Sequence, residues 1–175
     1  MSFQINNAVL NDALRALNRV VPSRTTLPIL SCVLLKSDGG KLSVRATNLE
    51  VSMEFSIDAK IKDPVNIAIP ISKILNVTNS LKKEELEFSI SEGLRIKITT
   101  QFGEYNIVGV SSEDFPNKAE IVKENSLSFA APDLEELINY TIGACSTDDL
   151  KPALQGVFLN FNEAKTTFVS TDGHK

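Results

Sequence analysis

Alternation of apolar and polar side chains runs through much of the chain and predicts strands with one buried face. In residues 51–61, VSMEFSIDAKI, every second side chain is apolar, and those between are polar or charged. A period of two is typical of strands in an antiparallel sheet that has one solvated face. From this pattern and its turn signals we predict strands over residues 2–6, 29–36, 41–47, 51–61, 65–69, 86–91, 94–101 and 104–111.

Two segments follow a helical period instead. In residues 7–21 the apolar side chains recur every three or four positions, and Arg15 and Arg19 lie on the opposite stripe. Residues 70–83 repeat this arrangement after Pro70, a residue that suits the first turn of a helix. The cations of this second segment, which contains no acid, are Lys73, Lys82 and Lys83.

The predicted elements follow the order strand, helix, three strands, and they do so twice within residues 1–120. This order predicts a complete α+β domain. After an aperiodic linker over residues 113–125, the start of the chain recurs with a shift of 124 residues and no gap. The repeat predicts a second domain that begins with a strand containing Leu127 and Phe129, and residues 121–175 supply only its first part.

The net charge of −4 is unevenly distributed. Residues 1–120 contain 14 basic and 14 acidic side chains, whereas residues 121–175 contain 4 basic and 8 acidic ones. Proteins that grip DNA by neutralising phosphates usually have a strong basic excess. Any contact of this chain with nucleic acid is therefore expected to be local or loose.

The sequence offers little catalytic chemistry. His174 is the only histidine, the two cysteines are far apart, and neither a CxxC pair nor a GxGxxG motif is present. We therefore expect no enzymatic activity, no catalytic residue, no metal and no cofactor. The absence of an apolar run of eighteen residues and of a secretory signal favours a cytoplasmic protein without membrane contact.

Two features of the sequence are each compatible with two interpretations. The cations of either predicted helix are compatible with an ordinary solvated face whose charges favour the helix dipole, or with a surface that meets phosphates. The final residues, STDGHK, are compatible with a polar Asp172–Gly173 turn or with part of a binding site.

Five segments together resemble a known family. RTTLPIL (24–30), ATNLEV (46–51), EDFPN (113–117), LKPALQGVFLNF (150–161) and STDGHK (170–175) resemble the bacterial sliding clamp, the beta subunit of DNA polymerase III. The resemblance implies three similar domains, of which the third is absent here. Each domain would have two strand–helix–three-strand units, with antiparallel sheets on one side and two helices on the other. Two chains would close head to tail into a ring.

The resemblance implies that double-stranded DNA threads the ring, which tethers the replicative polymerase as a processivity factor. Arg24, in RTTLPIL, is then the strongest candidate for a DNA contact. Weaker candidates, inferred only from the two basic helices, are Arg15, Arg19, Lys82 and Lys83. The helix of the second domain departs from the scheme, because Glu135 and Glu136 stand where a basic face is expected.

A second implied surface is a peptide pocket that receives the short linear motifs of clamp-binding proteins. The partners implied are the polymerase III catalytic subunit, the clamp loader and other proteins with such motifs. The positions that match the family's pocket wall are Lys151, Leu154, Thr171, Gly173, His174 and Lys175.

The third implied surface is the interface of the homodimer, which uses the second helix and the last strand of the first domain. Its matching positions are Lys73, Val77, Leu81, Tyr105 and Ile107. The alternative to a clamp function is a free-standing fragment that binds nucleic acid or another protein. Stable retention on circular rather than linear DNA distinguishes the clamp from a free-standing DNA binder.

Overall fold

The computed structural model describes residues 1–118, 127–162 and 165–175. The chain divides into two units, Met1–Ala119 and Glu120–Lys175. The predicted domain boundary between residues 120 and 121 lies outside the described residues. Within the described ranges, no helix has the length and hydropathy that crossing a lipid bilayer requires.

In its described part, residues 1–118, the first unit contains two α-helices and nine strands. The helices are α1 (Asn7–Leu17) and α2 (Ile71–Ser80). The strands are β1 (Ser2–Asn6), β2 (Cys32–Asp38), β3 (Lys41–Thr47), β4 (Ser52–Asp58), β5 (Lys60–Ile61), β6 (Asn66–Pro70), β7 (Glu85–Ile90), β8 (Arg95–Thr100) and β9 (Gly103–Val108).

These strands form two antiparallel sheets that exchange their first strands. One sheet has the order β5-β1-β7-β8-β9 and the other has the order β4-β3-β2-β6. Strand β1 of the first repeat thus pairs with β7 of the second repeat, and β6 of the second pairs with β2 of the first. Because neither sheet can form from one repeat alone, the two repeats fold as a single unit.

One hydrophobic core joins both sheets to both helices. Phe3 of β1 and Phe88 of β7 are cross-strand partners whose rings stack with centroids 4.5 Å apart. Helix α1 contributes Leu10 and Leu14, and α2 contributes Ile74; all three side chains are fully buried. The two helices also pack against each other. The predicted strand faces are confirmed, since the alternating apolar residues of β4 contact this core.

Both helices end earlier than predicted. Helix α1 ends at Leu17 rather than at residue 21, and the chain continues in a turn in which the N–H groups of Arg19 and Val20 donate to carbonyls only three residues back. The prediction that Arg19 lies on this helix is therefore wrong. Pro22, which lacks an N–H and disfavours helical geometry in the residue before it, keeps the helix from resuming. Helix α2 ends at Ser80, and the extended backbone of Leu81 follows. The prediction that Lys82 and Lys83 lie on this helix is therefore wrong, because both residues follow it.

Two predicted strands also differ in the structure. Residues Pro28–Ser31 form a 3₁₀ turn that closes with the Ser31 hydroxyl donating to the Pro28 carbonyl at 2.6 Å, and β2 begins only at Cys32. The strand predicted over residues 51–61 divides at Ala59. Its first part, β4, pairs with β3, whereas the short β5 pairs with β1 of the other sheet. The chain passes from one sheet to the other here, while apolar and polar side chains continue to alternate.

The segment predicted to be a linker packs against the first unit over its described part. Phe115 is only 5% exposed and lies against Cys32, Leu34 and Ala68, on the side of the four-stranded sheet turned away from the main core. Residues 119–125 of the predicted linker lie outside the described residues. Aperiodic composition correctly excluded a strand or helix at 113–118 but did not reveal the burial of its aromatic side chain.

The second unit contains one α-helix and one hairpin in its described part. These are α3 (Ala131–Ile142), a 3₁₀ turn (Pro152–Leu154), β10 (Phe158–Phe161) and β11 (Thr166–Val169). The strand predicted around Leu127 and Phe129 is wrong, because residues 127–130 are not in a strand. The corresponding segment of the first unit, β1, is hydrogen-bonded to β5 and β7. Strands equivalent to β5 and β7 are absent from the described part of the second unit.

Candidate nucleic-acid interface

A row of polar side chains on α1 fixes this helix against α2. Asn7, Asn11 and Arg15 are spaced four residues apart and therefore project from one face of the helix. The Asn11 amide donates to Thr78 Oγ1 at 2.9 Å and to Asn79 Oδ1 at 3.0 Å. These bonds lock the two helices in register.

The buried Asn7 amide explains how α2 ends. Its Nδ2 donates to the backbone carbonyls of Thr78 at 3.1 Å, of Leu81 at 3.3 Å and of Lys82 at 3.0 Å. A helix C-terminus leaves carbonyls without intrahelical partners, and a side-chain donor that satisfies them stabilises that end. The segment that carries Lys82 and Lys83 is therefore anchored directly to α1.

Arg15 is held by a neutral partner. Its Nε and Nη2 atoms donate to Asn79 Oδ1 at 3.1 and 2.9 Å, while the side chain stays exposed. Because the acceptor is an amide and not a carboxylate, the guanidinium is oriented without its charge being neutralised. This geometry suits a contact with a phosphate.

The cations of the first unit include two contrasting groups, beside four cations on the strands (Lys36, Arg45, Lys60 and Arg95) that form no ion pair with any described residue. Four lysines of the sheets and of the segment that follows them are ion-paired: Lys41 with Asp58, Lys62 with Glu87, Lys97 with Glu104, and Lys118 with Glu54. In contrast, a second group of exposed cations on the helices and adjoining segments forms no ion pair with any described residue. We call this group the helix-side cations; its members are Arg15, Arg19, Arg24, Lys73, Lys82 and Lys83.

Arg24 lies in an exposed loop that borders a cavity of about 530 Å³. Across this cavity the turn at Asn48 presents Leu49, which is 61% exposed and has a φ of 78°. The turn is rigid, since Asn48 Oδ1 accepts hydrogen bonds from the N–H groups of Glu50 and Val51. Sequence reasoning missed Leu49 as a neighbour of Arg24; the Asn in the preceding position was the available turn signal.

The described part of the second unit contains no comparable cationic helix. Helix α3 contains Asp133, Glu135 and Glu136 and no Lys or Arg, and both glutamates are exposed. The departure noted in the sequence therefore persists on the folded helix, which presents negative charge to solvent.

The residues that match the peptide-pocket wall fall in two local groups. Lys151 and Leu154 bracket the 3₁₀ turn, with the Leu154 N–H donating to the Lys151 carbonyl at 2.9 Å. The residues from Thr171 to Lys175 form a compact turn in which Gly173 has a φ of 93°. Among the described residues, no hydrogen bond or ion pair joins one group to the other. His174 is exposed and lies on this turn.

The Asp172 carboxylate organises this final turn. Its Oδ1 accepts hydrogen bonds from the N–H groups of His174 at 2.8 Å and of Lys175 at 3.0 Å. These two bonds, in that order of importance, hold the pKa of Asp172 below its usual value.

We predict that this turn opens in acid. A carboxyl with a lowered pKa in the folded state stabilises that state above its ordinary pKa of about 3.9, and the contribution is lost as the pH falls through the folded-state value. The backbone amide resonances of His174 and Lys175 should therefore shift together below about pH 4. Asp172→Asn is the matched control, because it keeps an oxygen acceptor that does not titrate. The same titration in that variant would refute the assignment.

The residues that match the dimer interface are mostly inside the first unit. Val77 and Ile107 belong to the main core, and Leu81 and Tyr105 pack against it. Only Lys73 is exposed. Strand β9 is at the edge of its sheet and has no strand partner on its outer side among the described residues, so the backbone groups on that side can pair with another chain. A partner at this edge would meet the β9 backbone and outward side chains such as Val108, which is 65% exposed.

The described residues contain no group of three or more His, Cys, Asp or Glu side chains arranged to hold a metal ion. Cys32 is buried and Cys145 is half-buried, and both are free thiols.

Comparison with known proteins identifies the family. Residues 1–119 match the family described as "DNA polymerase III beta subunit, N-terminal domain", which is more than half of the chain. The chain belongs to this family. The predicted α+β sliding-clamp fold is confirmed, because solved structures of beta subunits superpose on nearly all of the chain.

Relatives of the beta subunit family match the full length of this chain but extend beyond it. The beta sliding clamp of Pseudomonas aeruginosa is 30% identical over 178 residues, covering 100% of this chain and 48% of the relative. The beta sliding clamp of Chlamydia pneumoniae is 29% identical over 177 residues, with the same coverage. The crystal structure of the DNA polymerase III subunit beta from Pseudomonas aeruginosa has a TM-score of 0.92 at 29% identity and covers 99% of this chain and 48% of that chain. The chain thus spans about half the length of these relatives.

Proposed function

We propose that this chain forms part of a ring-shaped sliding clamp, a processivity factor that encircles double-stranded DNA and performs no catalysis itself. The observation that supports the proposal is the distribution of charged side chains in the first unit of this chain, a member of the beta subunit family. The helix-side cations have no ion-pair partner among the described residues, whereas the described ion pairs of the first unit lie on its sheets, their connections and the segment after them.

A clamp needs this combination of charges. Because a closed ring holds DNA topologically, its inner surface must attract phosphates without binding them tightly, and it must ignore base sequence. Exposed Arg and Lys side chains form such contacts, which are weak at physiological ionic strength because salt screens them. The rest of the first unit contains more acidic than basic side chains, so it offers no competing net attraction for DNA.

The ring proposal assigns the remaining surfaces to partners. Residues 1–120 would be the complete first clamp domain, and residues 121–175 the first part of the second. A homodimer would use the β9 edge and α2. The polymerase III catalytic subunit, the clamp loader and other proteins with clamp-binding motifs would contact the pocket wall that includes Leu154 and His174. All of these partners place its action in the cytoplasm, with the replicating DNA.

A free-standing nucleic-acid binder is the second candidate, and the same unpaired cations favour it. The two functions differ in how DNA topology affects binding. A free-standing binder holds linear and circular duplexes equally, with a steep dependence on salt. A ring slides off a linear duplex through its free ends.

The test uses a hybrid clamp, in which this chain replaces the matching 48% of the Pseudomonas aeruginosa beta sliding clamp. Light scattering first verifies that the hybrid is a dimer. The hybrid is then loaded on nicked circular DNA, and the bound fraction is followed by gel filtration before and after one restriction cut. We expect retention on the circle and release on linearisation.

Equal retention before and after the cut would contradict the ring and favour the free-standing binder. The unmodified Pseudomonas aeruginosa protein, loaded in parallel, is the positive control. The 175-residue chain alone is the matched negative control, and it should bind the circle and the cut duplex equally weakly.

A further inference from the structure

A second cavity lies on the side of the four-stranded sheet that is turned away from the main core. The segment that contains Phe115 crosses this side of the sheet and leaves beside it a space of about 590 Å³. The charged side chains that line the space are Lys36, Asp38, Arg45, Glu54 and Lys118. The cavity lies entirely within the first unit, and it is separate from the helix-side cations.

Arg45 is the buried cation of this cavity. The residue is only 8% exposed, and its guanidinium lies over the Phe115 ring, 5.1 Å from the ring centroid. Among the described residues one of its five N–H groups has an acceptor, since Nη2 donates to the Pro116 carbonyl at 2.6 Å. No carboxylate among the described residues pairs with it. Glu54 attracts this charge electrostatically but makes no ion pair or hydrogen bond with it, so the remaining N–H groups of Arg45 can still gain from an incoming anion.

The carboxylate directly across the strand pair from Arg45 already has other hydrogen-bond partners. Glu54 is the cross-strand partner of Arg45, yet its Oε2 pairs with Lys118 at 2.7 Å and its Oε1 accepts from the Ser43 hydroxyl at 2.8 Å. The Lys118 ammonium, followed by that hydroxyl, holds the pKa of Glu54 below its usual value. Glu54 therefore stays ionised and paired with Lys118.

Lys36 provides a second unpaired cation. In the β2–β3 register, Leu34 faces Arg45 and Lys36 faces Ser43, which makes Lys36 a diagonal neighbour of Arg45. Diagonal neighbours on one face of a sheet are roughly 7–8 Å apart. Lys36 forms no ion pair or side-chain hydrogen bond with any residue in the described ranges. One anionic group between the two side chains can therefore contact both.

We propose that this cavity is a docking site for an acidic peptide of a partner protein, with a Glu or Asp carboxylate held between Arg45 and Lys36. A guanidinium with free N–H groups binds a carboxylate in a two-pronged geometry. Asn66 and Asn117 also line the space and offer amides to the peptide backbone. Asp38 and Glu54 limit the negative charge that the cavity tolerates, which favours a single carboxylate over a phosphate or a DNA backbone. The site is additional to the clamp function proposed above.

The test is a titration of the uniformly ¹⁵N-labelled 175-residue chain, observed by NMR at the Arg45 Nε–Hε group and the Lys36 amide. The probe is the capped peptide Gly-Gly-Gly-Glu-Gly-Gly, and its uncharged counterpart is Gly-Gly-Gly-Gln-Gly-Gly. We expect a saturable shift with the acidic peptide at a Kd on the order of 1 mM, and none with its counterpart. Arg45→Gln should weaken binding about tenfold.

Two further variants separate binding from folding. Lys36→Gln changes an exposed residue and should weaken binding about threefold in a chain that folds normally. Arg95→Gln, an exposed arginine on β8 of the other sheet, makes the same change of charge outside the cavity and should have no effect. Equal shifts with both peptides, full binding by Lys36→Gln, or saturation only by inorganic phosphate or a short DNA duplex would each overturn the proposal.

Discussion

Replacement of Phe88 by alanine should lower the free energy of unfolding of the first unit by about 3–5 kcal/mol. The side chain is fully buried, and its ring stacks on Phe3 at a centroid distance of 4.5 Å. The loss combines the transfer free energy of the ring with the cavity that remains, because neighbouring strands cannot close it. This pair also joins β1 of the first repeat to β7 of the second, so the damage falls on the contact that unites the repeats.

Urea denaturation followed by circular dichroism measures this effect. Phe102→Ala is the matched control, since that ring is 75% exposed in the turn between β8 and β9, and the free energy should change by less than about 0.5 kcal/mol. If Phe88→Ala cost no more than Phe102→Ala, the stacked pair would not be a central element of the core.

The second large effect concerns DNA. Replacing Arg15, Arg19 and Arg24 together by glutamine in the hybrid clamp should weaken its binding to a short linear duplex by at least about tenfold at low salt. Each phosphate contact contributes roughly 0.9 to the slope of log K against log salt. The slope should therefore fall by about 2–3, which fluorescence anisotropy over a series of salt concentrations measures directly.

The control for this experiment removes the same charge from the sheets and the segment directly after β5. Lys41, Lys62 and Lys97 each pair with an acid, so the triple substitution of these lysines by glutamine should leave the slope unchanged. Equal losses in the two triple variants would mean that net charge, rather than the helix-side position of the arginines, governs DNA binding.

The candidate interface was only partly predictable from the sequence. Helical spacing identified Arg15 and Arg19 as exposed, and the structure agrees. It could not reveal that Asn79 orients Arg15, because their hydrogen bond joins residues 64 positions apart in the chain. For the same reason the sequence could not show that α2 ends before Lys82 and Lys83. The end of this helix is held by the amide of Asn7, which is distant in the chain. Val77 and Ile107 were matched to a surface by resemblance, yet local packing buries both.

Local periodicity determined which segments become strands or helices and which side chains face inward, because these properties follow from the geometry of a few consecutive residues. The repeat of strand, helix and three strands was also visible in the sequence alone. Only the tertiary structure decided that β1 and β6 exchange sheets and that residues 51–61 divide between the two sheets. Alternation specifies the face of a strand but not its neighbour, and the neighbour is chosen by backbone hydrogen bonds and core packing between residues far apart in the chain.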